Sequence, residues 1–202
     1  MYKFVVLSVL LFGAVMAEVC ENDQGQCSAT TLATFVQEKD WNKATTIYDF
    51  HAKDIRGNDV SLDKYRGHVC IIVNVASNCG YTDNHYKELV KLYEKYSEKE
   101  GLRILAFPSN QFGGQEPGTA QEIMDFVKKY NVTFDMFEKI DVNGDDAQPL
   151  WKWLKTQASG FITDDIKWNF TKFIINKEGK VVSRYAPTTS PLELEPELQK
   201  LF

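Results

Sequence analysis

The chain has no Cys-x-x-Cys pair, no internal run of about 20 apolar residues and no surplus of positive charge, and each lack excludes a class of protein. Its four cysteines (Cys20, Cys27, Cys70, Cys79) include no pair at zinc spacing, and its three histidines (His51, His68, His85) stand apart, so no metal site is expected. With 23 Lys and Arg against 28 Asp and Glu, the net charge of −5 gives no footing for nucleic-acid binding, which favours basic patches. There is no repeat, low-complexity tract or mid-chain linker. A hydrophobic fraction of 44% with 25% charged residues is globular composition, and 202 residues suit one well-buried domain.

The N-terminal apolar stretch, Phe4 to Val15, is too short to span a bilayer comfortably, with an uncleaved signal anchor as the alternative to a cleaved leader. Preceded by Lys3 and ending at Val15-Met16-Ala17, it reads as a signal peptide over residues 1–17 with a small-residue cleavage site. The mature protein is therefore expected to be secreted. Residues 18–44 form an N-terminal extension in which Thr30 to Lys39 suggests a short helix. Cys20 and Cys27 flank a polar, glycine-containing stretch there and are candidates for a small disulfide loop in an oxidising compartment.

From residue 45 the pattern is regular. Ile47 to Ala52 and Asp59 to Leu62 flank a Gly57-Asn58 turn signal and suggest a β-hairpin. Val69 to Val75 reads as a buried strand, Asn84 to Tyr96 as a helix, and Leu102 to Phe107 as a second buried strand. A Gly- and Pro-rich loop, Pro108 to Gly118, leads to a helix from Thr119 to Tyr130. A short helix from Pro149 to Gln157 follows, then a hairpin, Phe170 to Ile175 and Lys180 to Tyr185. A C-terminal helix from Leu192 to Phe202 contains Pro196, which predicts an early start or a break.

Within this order one residue carries chemistry. Cys79 falls between a buried strand and a helix, where backbone N–H groups and the helix dipole stabilise negative charge on sulfur. Cys70, inside the strand, reads as packing. A strand running into a Cys at a helix start, with a closing hairpin and helix, is a thioredoxin-like α/β arrangement: a central mixed sheet flanked by helices, with an added N-terminal β-hairpin. The local tetrapeptide is Cys79-Gly80-Tyr81-Thr82, so a hydroxyl replaces the second thiol and a one-cysteine mechanism remains.

A lone thiolate is chemically incomplete. Lowering a thiol's pKa from about 8.5 to about 6.5 raises its thiolate fraction at neutral pH only about 25-fold. Peroxide reduction also needs fixed donors around the sulfur and the departing oxygen. Two segments could supply neutral N–H donors: Asn110 to Gly118 and Lys167-Trp168-Asn169-Phe170. With Asn74-Val75-Ala76-Ser77-Asn78-Cys79-Gly80, Leu105 to Gly118 and Trp168-Asn169-Phe170 in view, residues 45–202 resemble the glutathione peroxidase family.

That resemblance implies a peroxidatic Cys79 with Gln115, Trp168 and Asn169 completing a tetrad. It implies glutathione as co-substrate, no bound cofactor, and hydrogen peroxide and lipid hydroperoxides as substrates. The short stretch from Tyr130 to Asp141 is similar to the monomeric phospholipid-hydroperoxide type, whose open site admits bulky lipid peroxides and transient membrane contact. Ser109 replaces a frequent Cys, and the helix from Thr119 to Tyr130 has no resolving Cys. This favours two external thiols, with glutathione anchored by Lys167 and Arg184. The alternatives are a thioredoxin-dependent peroxidase resolving through Cys20 or Cys27, and a secreted redox sensor that passes its oxidation to a partner. Two sequons are present: Asn131-Val132-Thr133 is the glycan candidate, whereas Asn169-Phe170-Thr171 overlaps the tetrad.

Overall fold

The computed structural model describes residues 40–160 and 162–202. The expected signal peptide, the short helix over 30–39, Cys20 and Cys27 lie outside the described residues.

The N-terminal hairpin pairs β1 (His51–Lys53) antiparallel with β2 (Asp59–Ser61). Its first strand is shorter than the sequence suggests, because Ile47–Asp49 winds into a 3-10 turn. The Asp49 carboxylate draws in that turn by accepting from the N–H groups of Thr45 at 2.8 Å and Thr46 at 3.0 Å. A short acidic side chain thus outcompetes the strand ladder for local backbone donors. The hairpin turn is built the same way: Asp54 accepts from the N–H groups of Arg56 and Asn58, each at 2.9 Å, and Gly57 takes a φ of +85°.

Then come β3 (Cys70–Val75), α1 (Thr82–Tyr96), β4 (Arg103–Pro108), α2 (Ala120–Lys128), β5 (Asp135–Met136), α3 (Pro149–Gln157), β6 (Lys172–Ile175), β7 (Val181–Tyr185) and α4 (Glu195–Leu201). The five-stranded sheet has the order β5-β4-β3-β6-β7. Strands β3, β4 and β5 are parallel, while β6 runs antiparallel to β3 and β7 antiparallel to β6. The two-residue β5 has too little pattern to be read from sequence.

Alternation along the strands divides the core in two. Ile71, Val73, Val75, Ile104, Ala106 and Ile174 pack against Tyr86 and Leu89 of α1, Ile123 and Val127 of α2, and Leu198 of α4. Cys70, Ile72, Leu105, Phe107, Phe173 and Ile175 face the other way, against Leu150, Trp151 and Leu154 of α3 and against Leu62 and Tyr65. The apolar runs are continuous in sequence because both faces of the sheet are covered. This is the thioredoxin-like α/β arrangement expected from the order of elements.

Helix ends follow local chemistry. Thr119 and Glu122 form a reciprocal capping box at the start of α2. At the other end of the chain Pro196 falls in the first turn of α4, where its missing N–H costs nothing, and a 3-10 turn over Pro191–Leu194 precedes it. The expected helix is therefore divided at its start and is not broken internally.

Candidate active site

The parallel strands β3 and β4 end at the same edge of the sheet, and there the segments singled out by sequence meet. Beyond β3 the chain turns through Ala76 to Tyr81 before α1 begins. The Thr82 hydroxyl organises this turn, donating to the Ala76 carbonyl at 2.7 Å and accepting from the Cys79 N–H at 3.1 Å. The Cys79 carbonyl accepts from the Thr82 N–H at 3.0 Å. The helix thus opens two residues earlier than its apolar periodicity suggests. Thr82, which stands where a second thiol would be, fixes the first.

Cys79 is half-buried, neither sealed in the interior nor fully open. Cys70 is sealed: it is fully buried in β3, and burial pushes its thiol up to about 12. The two described thiols therefore differ in their access to solvent.

The loop after β4 reaches the Cys79 turn through backbone, the Asn78 N–H donating to the Gln115 carbonyl at 3.0 Å. Gly113 and Gly114 adopt φ values of +64° and +63°, the left-handed turn that carries Gln115 back toward the sheet edge. The Gln115 carboxamide oxygen accepts from Asn169 Nδ2 at 2.8 Å. Two sequence-distant members of the expected tetrad are thus directly bonded. Asn169 is fully buried, and its Oδ1 has no hydrogen-bond partner. Trp168 is 40% exposed, with its ring 6.0 Å from that of Phe112. Among the described residues none of these three side chains hydrogen-bonds the Cys79 sulfur. The Asn169–Gln115 pair adjoins the Cys79 turn through the Asn78 N–H bond to the Gln115 carbonyl.

Asn74 holds the third segment. It is fully buried at the end of β3. Its Nδ2 donates to the Trp168 carbonyl at 3.2 Å and its Oδ1 accepts from the Thr171 N–H at 3.0 Å. The Asn74 carbonyl accepts from the Phe170 N–H at 2.7 Å. These bonds hold Phe170 at a φ of +65°, a left-handed conformation that strains a residue with a bulky side chain. The kink postpones β6 to Lys172, two residues later than expected, and turns Trp168 and Asn169 toward the Cys79 edge. Sequence reading missed Asn74 because it counted the strand as wholly apolar. The signal was there: a lone carboxamide inside an otherwise aliphatic buried strand needs partners.

A second buried polar pair lies behind the turn. The ring of His85, on α1, packs between Tyr81 and Phe170, with centroids 5.4 and 4.8 Å away. Its Nδ1 is 3.0 Å from the Tyr81 carbonyl and its Nε2 is 3.1 Å from Lys172 Nζ. Lys172 is fully buried and donates to the Thr189 carbonyl at 2.6 Å. Burial, with the Lys172 charge, lowers the imidazole to about 4. Burial also lowers the Lys172 ammonium to about 7, against the pull of Glu193 and Glu88.

The two residues expected to anchor glutathione are differently engaged. Lys167 is exposed next to Trp168 and hydrogen-bonds the Thr163 hydroxyl. Arg184 donates to the carbonyls of Ala158 at 3.4 Å, Asp164 at 2.7 Å and Asp165 at 2.8 Å. Its guanidinium thereby closes the loop ahead of Trp168, a role invisible in sequence because its partners are backbone carbonyls. Of the two sequons, Asn131 is exposed just past α2, whereas Asn169 is buried in the folded protein.

The site belongs to the thioredoxin-like fold class: among the described residues one half-buried thiol stands at the β3–α1 turn, with the Thr82 hydroxyl where a second would be. The thioredoxin family thiol:disulfide interchange protein from Chlorobium tepidum shares the fold, with a TM-score of 0.56 at 14% identity over 75% of this chain and 92% of that one. Residues 47–155 match the glutathione peroxidase family model. The chain is 58% identical over 178 residues to the phospholipid hydroperoxide glutathione peroxidase of Bos taurus, covering 86% of this chain and 90% of that protein. The crystal structure of T. cruzi GPX1 is similar with a TM-score of 0.65 at 37% identity, over 78% of this chain and 96% of that one. The chain belongs to the glutathione peroxidase family, and is an oxidoreductase of the peroxidase class.

Proposed function

We propose that the protein is a glutathione-dependent peroxidase acting on hydrogen peroxide and on organic, including phospholipid, hydroperoxides, with Cys79 as its reacting atom. The observation that carries this reading is the Asn169–Gln115 bond at 2.8 Å beside the half-buried Cys79 turn, in a chain of this family. In the cycle, the Cys79 thiolate attacks the terminal peroxide oxygen. The O–O bond breaks, an S–O bond forms, and the departing alkoxide takes a proton to give alcohol and a Cys79 sulfenic acid. A first glutathione thiolate attacks that sulfur and water leaves, giving a mixed disulfide. A second attacks the mixed disulfide, releasing oxidised glutathione and the Cys79 thiol.

Gln115, Trp168 and Asn169 supply N–H donors to the sulfur and to the oxygen that accumulates charge. Uncharged donors suit this role because none forms a competing ion pair with the thiolate. Lys167, exposed beside Trp168, is the cation best placed for a glutathione carboxylate, with Arg184 bracing the loop that carries it. Tyr81 at 36% exposure and Trp168 at 40% give the site an apolar border suited to acyl chains and to transient membrane contact. We further propose a secreted monomer, with residues 1–17 removed, Cys20 and Cys27 joined, and Asn131 open to glycosylation.

A reductant panel tests the function. With phospholipid hydroperoxide as oxidant, turnover is expected with glutathione and lost in Cys79→Ser. Turnover with thioredoxin alone, together with a Cys79–Cys20 or Cys79–Cys27 disulfide after one equivalent of peroxide, would replace this reading with a thioredoxin-dependent one.

A further inference from the structure

Glu116, next to Gln115, has a fully buried side chain and no well-aligned hydrogen bond to either carboxyl oxygen. The Glu116 N–H donates to Asn110 Oδ1 at 2.9 Å, and its carbonyl accepts from Lys139 Nζ at 3.1 Å. Both ends of the residue are held, and its side chain is buried. There the hydroxyl and N–H of Ser77 face it. From α1 the Tyr86 hydroxyl faces it, itself buried and without a hydrogen-bond partner. From the segment after β5 it is faced by Lys139, whose ammonium also reaches the Gly118 carbonyl at 2.8 Å.

A carboxylate in such a place is expensive. An apolar residue of similar volume would fill the space without desolvating a charge. A packing role therefore does not explain the residue, and its neighbours suggest what does. Ser77 lies two residues before Cys79, in the turn whose next amide, that of Asn78, already bonds the Gln115 carbonyl at 3.0 Å. The Gln115–Glu116 loop thus meets the Cys79 turn through backbone, and this carboxyl lies beside the same turn.

We propose that Glu116 is a positioning residue of the peroxidase site: its carboxylate takes the N–H and hydroxyl of Ser77 as donors and so sets the Ser77-Asn78-Cys79 turn against the Gln115 loop. The inference rests on the reading of Cys79 as the reacting thiol. Protonation removes one of the two acceptor oxygens and turns it into a donor, so the neutral acid grips Ser77 less well. Burial raises this carboxyl above the ordinary carboxylate range, while Ser77 and Lys139 pull it back. The loosening therefore occurs nearer neutrality than for an exposed Glu. It adds an acid limb to the peroxide half-reaction, separate from thiolate formation.

Two measurements test this. In stopped flow, Glu116→Gln should lower the rate constant for Cys79 oxidation by peroxide on the order of 10- to 100-fold, the scale of a small misplacement of reacting groups. It should leave reduction of the pre-oxidised enzyme by glutathione unchanged and remove one ionisation from the acid limb. Wild-type peroxide kinetics in the variant overturn the proposal, as does an equal loss in both half-reactions, which a purely structural role would give. Should Glu116→Gln not fold, the wild-type protein decides. The Ser77 amide proton shift should titrate with a carboxyl above the usual Glu range, and a flat Ser77 shift overturns the proposal. That NMR result does not depend on activity, so it fails separately from the peroxidase reading, which fails if Cys79→Ser retains turnover.

Discussion

The Asn169 carboxamide donates to the Gln115 carboxamide at 2.8 Å, across 54 residues of sequence. Each amide fixes the other: Gln115 Oε1 is occupied by the bond, which leaves the Gln115 NH2 group as the free donor. A double-mutant cycle follows from this. Gln115→Ala and Asn169→Ala should each slow Cys79 oxidation by peroxide, and the double variant should be less impaired than the product of the single effects. Coupling of roughly 0.5–3 kcal/mol is the range for residues sharing one network. Strict additivity in stopped-flow rate constants would mean that the two amides act independently.

The two described thiols should separate cleanly in labelling. Cys70 is sealed and its thiol is pushed up to about 12 by burial, whereas Cys79 is half-buried at a turn. Iodoacetamide at neutral pH, followed by peptide mapping, should modify Cys79 and leave Cys70 intact until the protein is denatured. Cys70→Ala should keep peroxidase activity. Modification of Cys70 at a comparable rate in the native protein would contradict this assignment.

Asn74 should matter more than any single residue of its strand suggests. Asn74→Ala orphans the Thr171 N–H and leaves the Trp168 carbonyl with the Thr171 hydroxyl as its donor. Leaving such a buried group unpaired costs about 1–3 kcal/mol of stability. Activity should fall beyond what the loss of fold explains, because the same bonds hold the strained Phe170 and orient Asn169. Urea unfolding gives the first quantity and single-turnover peroxide reduction the second. A variant that is destabilised but fully active would confine Asn74 to a structural role.

What could be read from sequence divides along physical lines. The place of Cys79 was legible because strand, thiol and helix are contiguous, and the meeting of the Gln115 and Asn169 segments because their motifs are long. The two-sided core was legible in the continuous apolar runs. Polar contacts between distant segments were not. Arg184 looks like a ligand anchor until its three carbonyl partners are seen. The left-handed Phe170 has no glycine to announce it, since Asn74 imposes the conformation from another strand. Asp49 shortened β1 through local hydrogen bonds that hydrophobic alternation does not register.

The His85–Lys172 pair makes stability pH-dependent in a direction that can be worked out. The folded imidazole is lowered to about 4, from 6.5 for an unperturbed histidine, by burial and by the Lys172 charge. Between those values the unfolded chain binds a proton that the folded protein does not. Stability therefore falls as pH drops from about 6.5 to about 4, and this group contributes no slope above that window. Lys172 acts in another window: its ammonium is lowered to about 7, so stability rises with pH from there toward the ordinary lysine range. Groups facing the pair are Glu88 on α1 and Glu193 on the turn before α4. His85→Asn retains a carboxamide acceptor for Lys172 but has nothing to protonate. In urea unfolding across the acid window, wild type should lose more stability than His85→Asn, with the difference vanishing above about pH 6.5. Parallel curves for the two proteins would show that the imidazole is not held neutral by its burial. The ring also packs on Phe170, 4.8 Å away, so acid should disturb the Trp168–Asn169 segment before global unfolding. Loss of single-turnover peroxide reduction ahead of the main unfolding transition, present in wild type and absent in His85→Asn, is the expected signature.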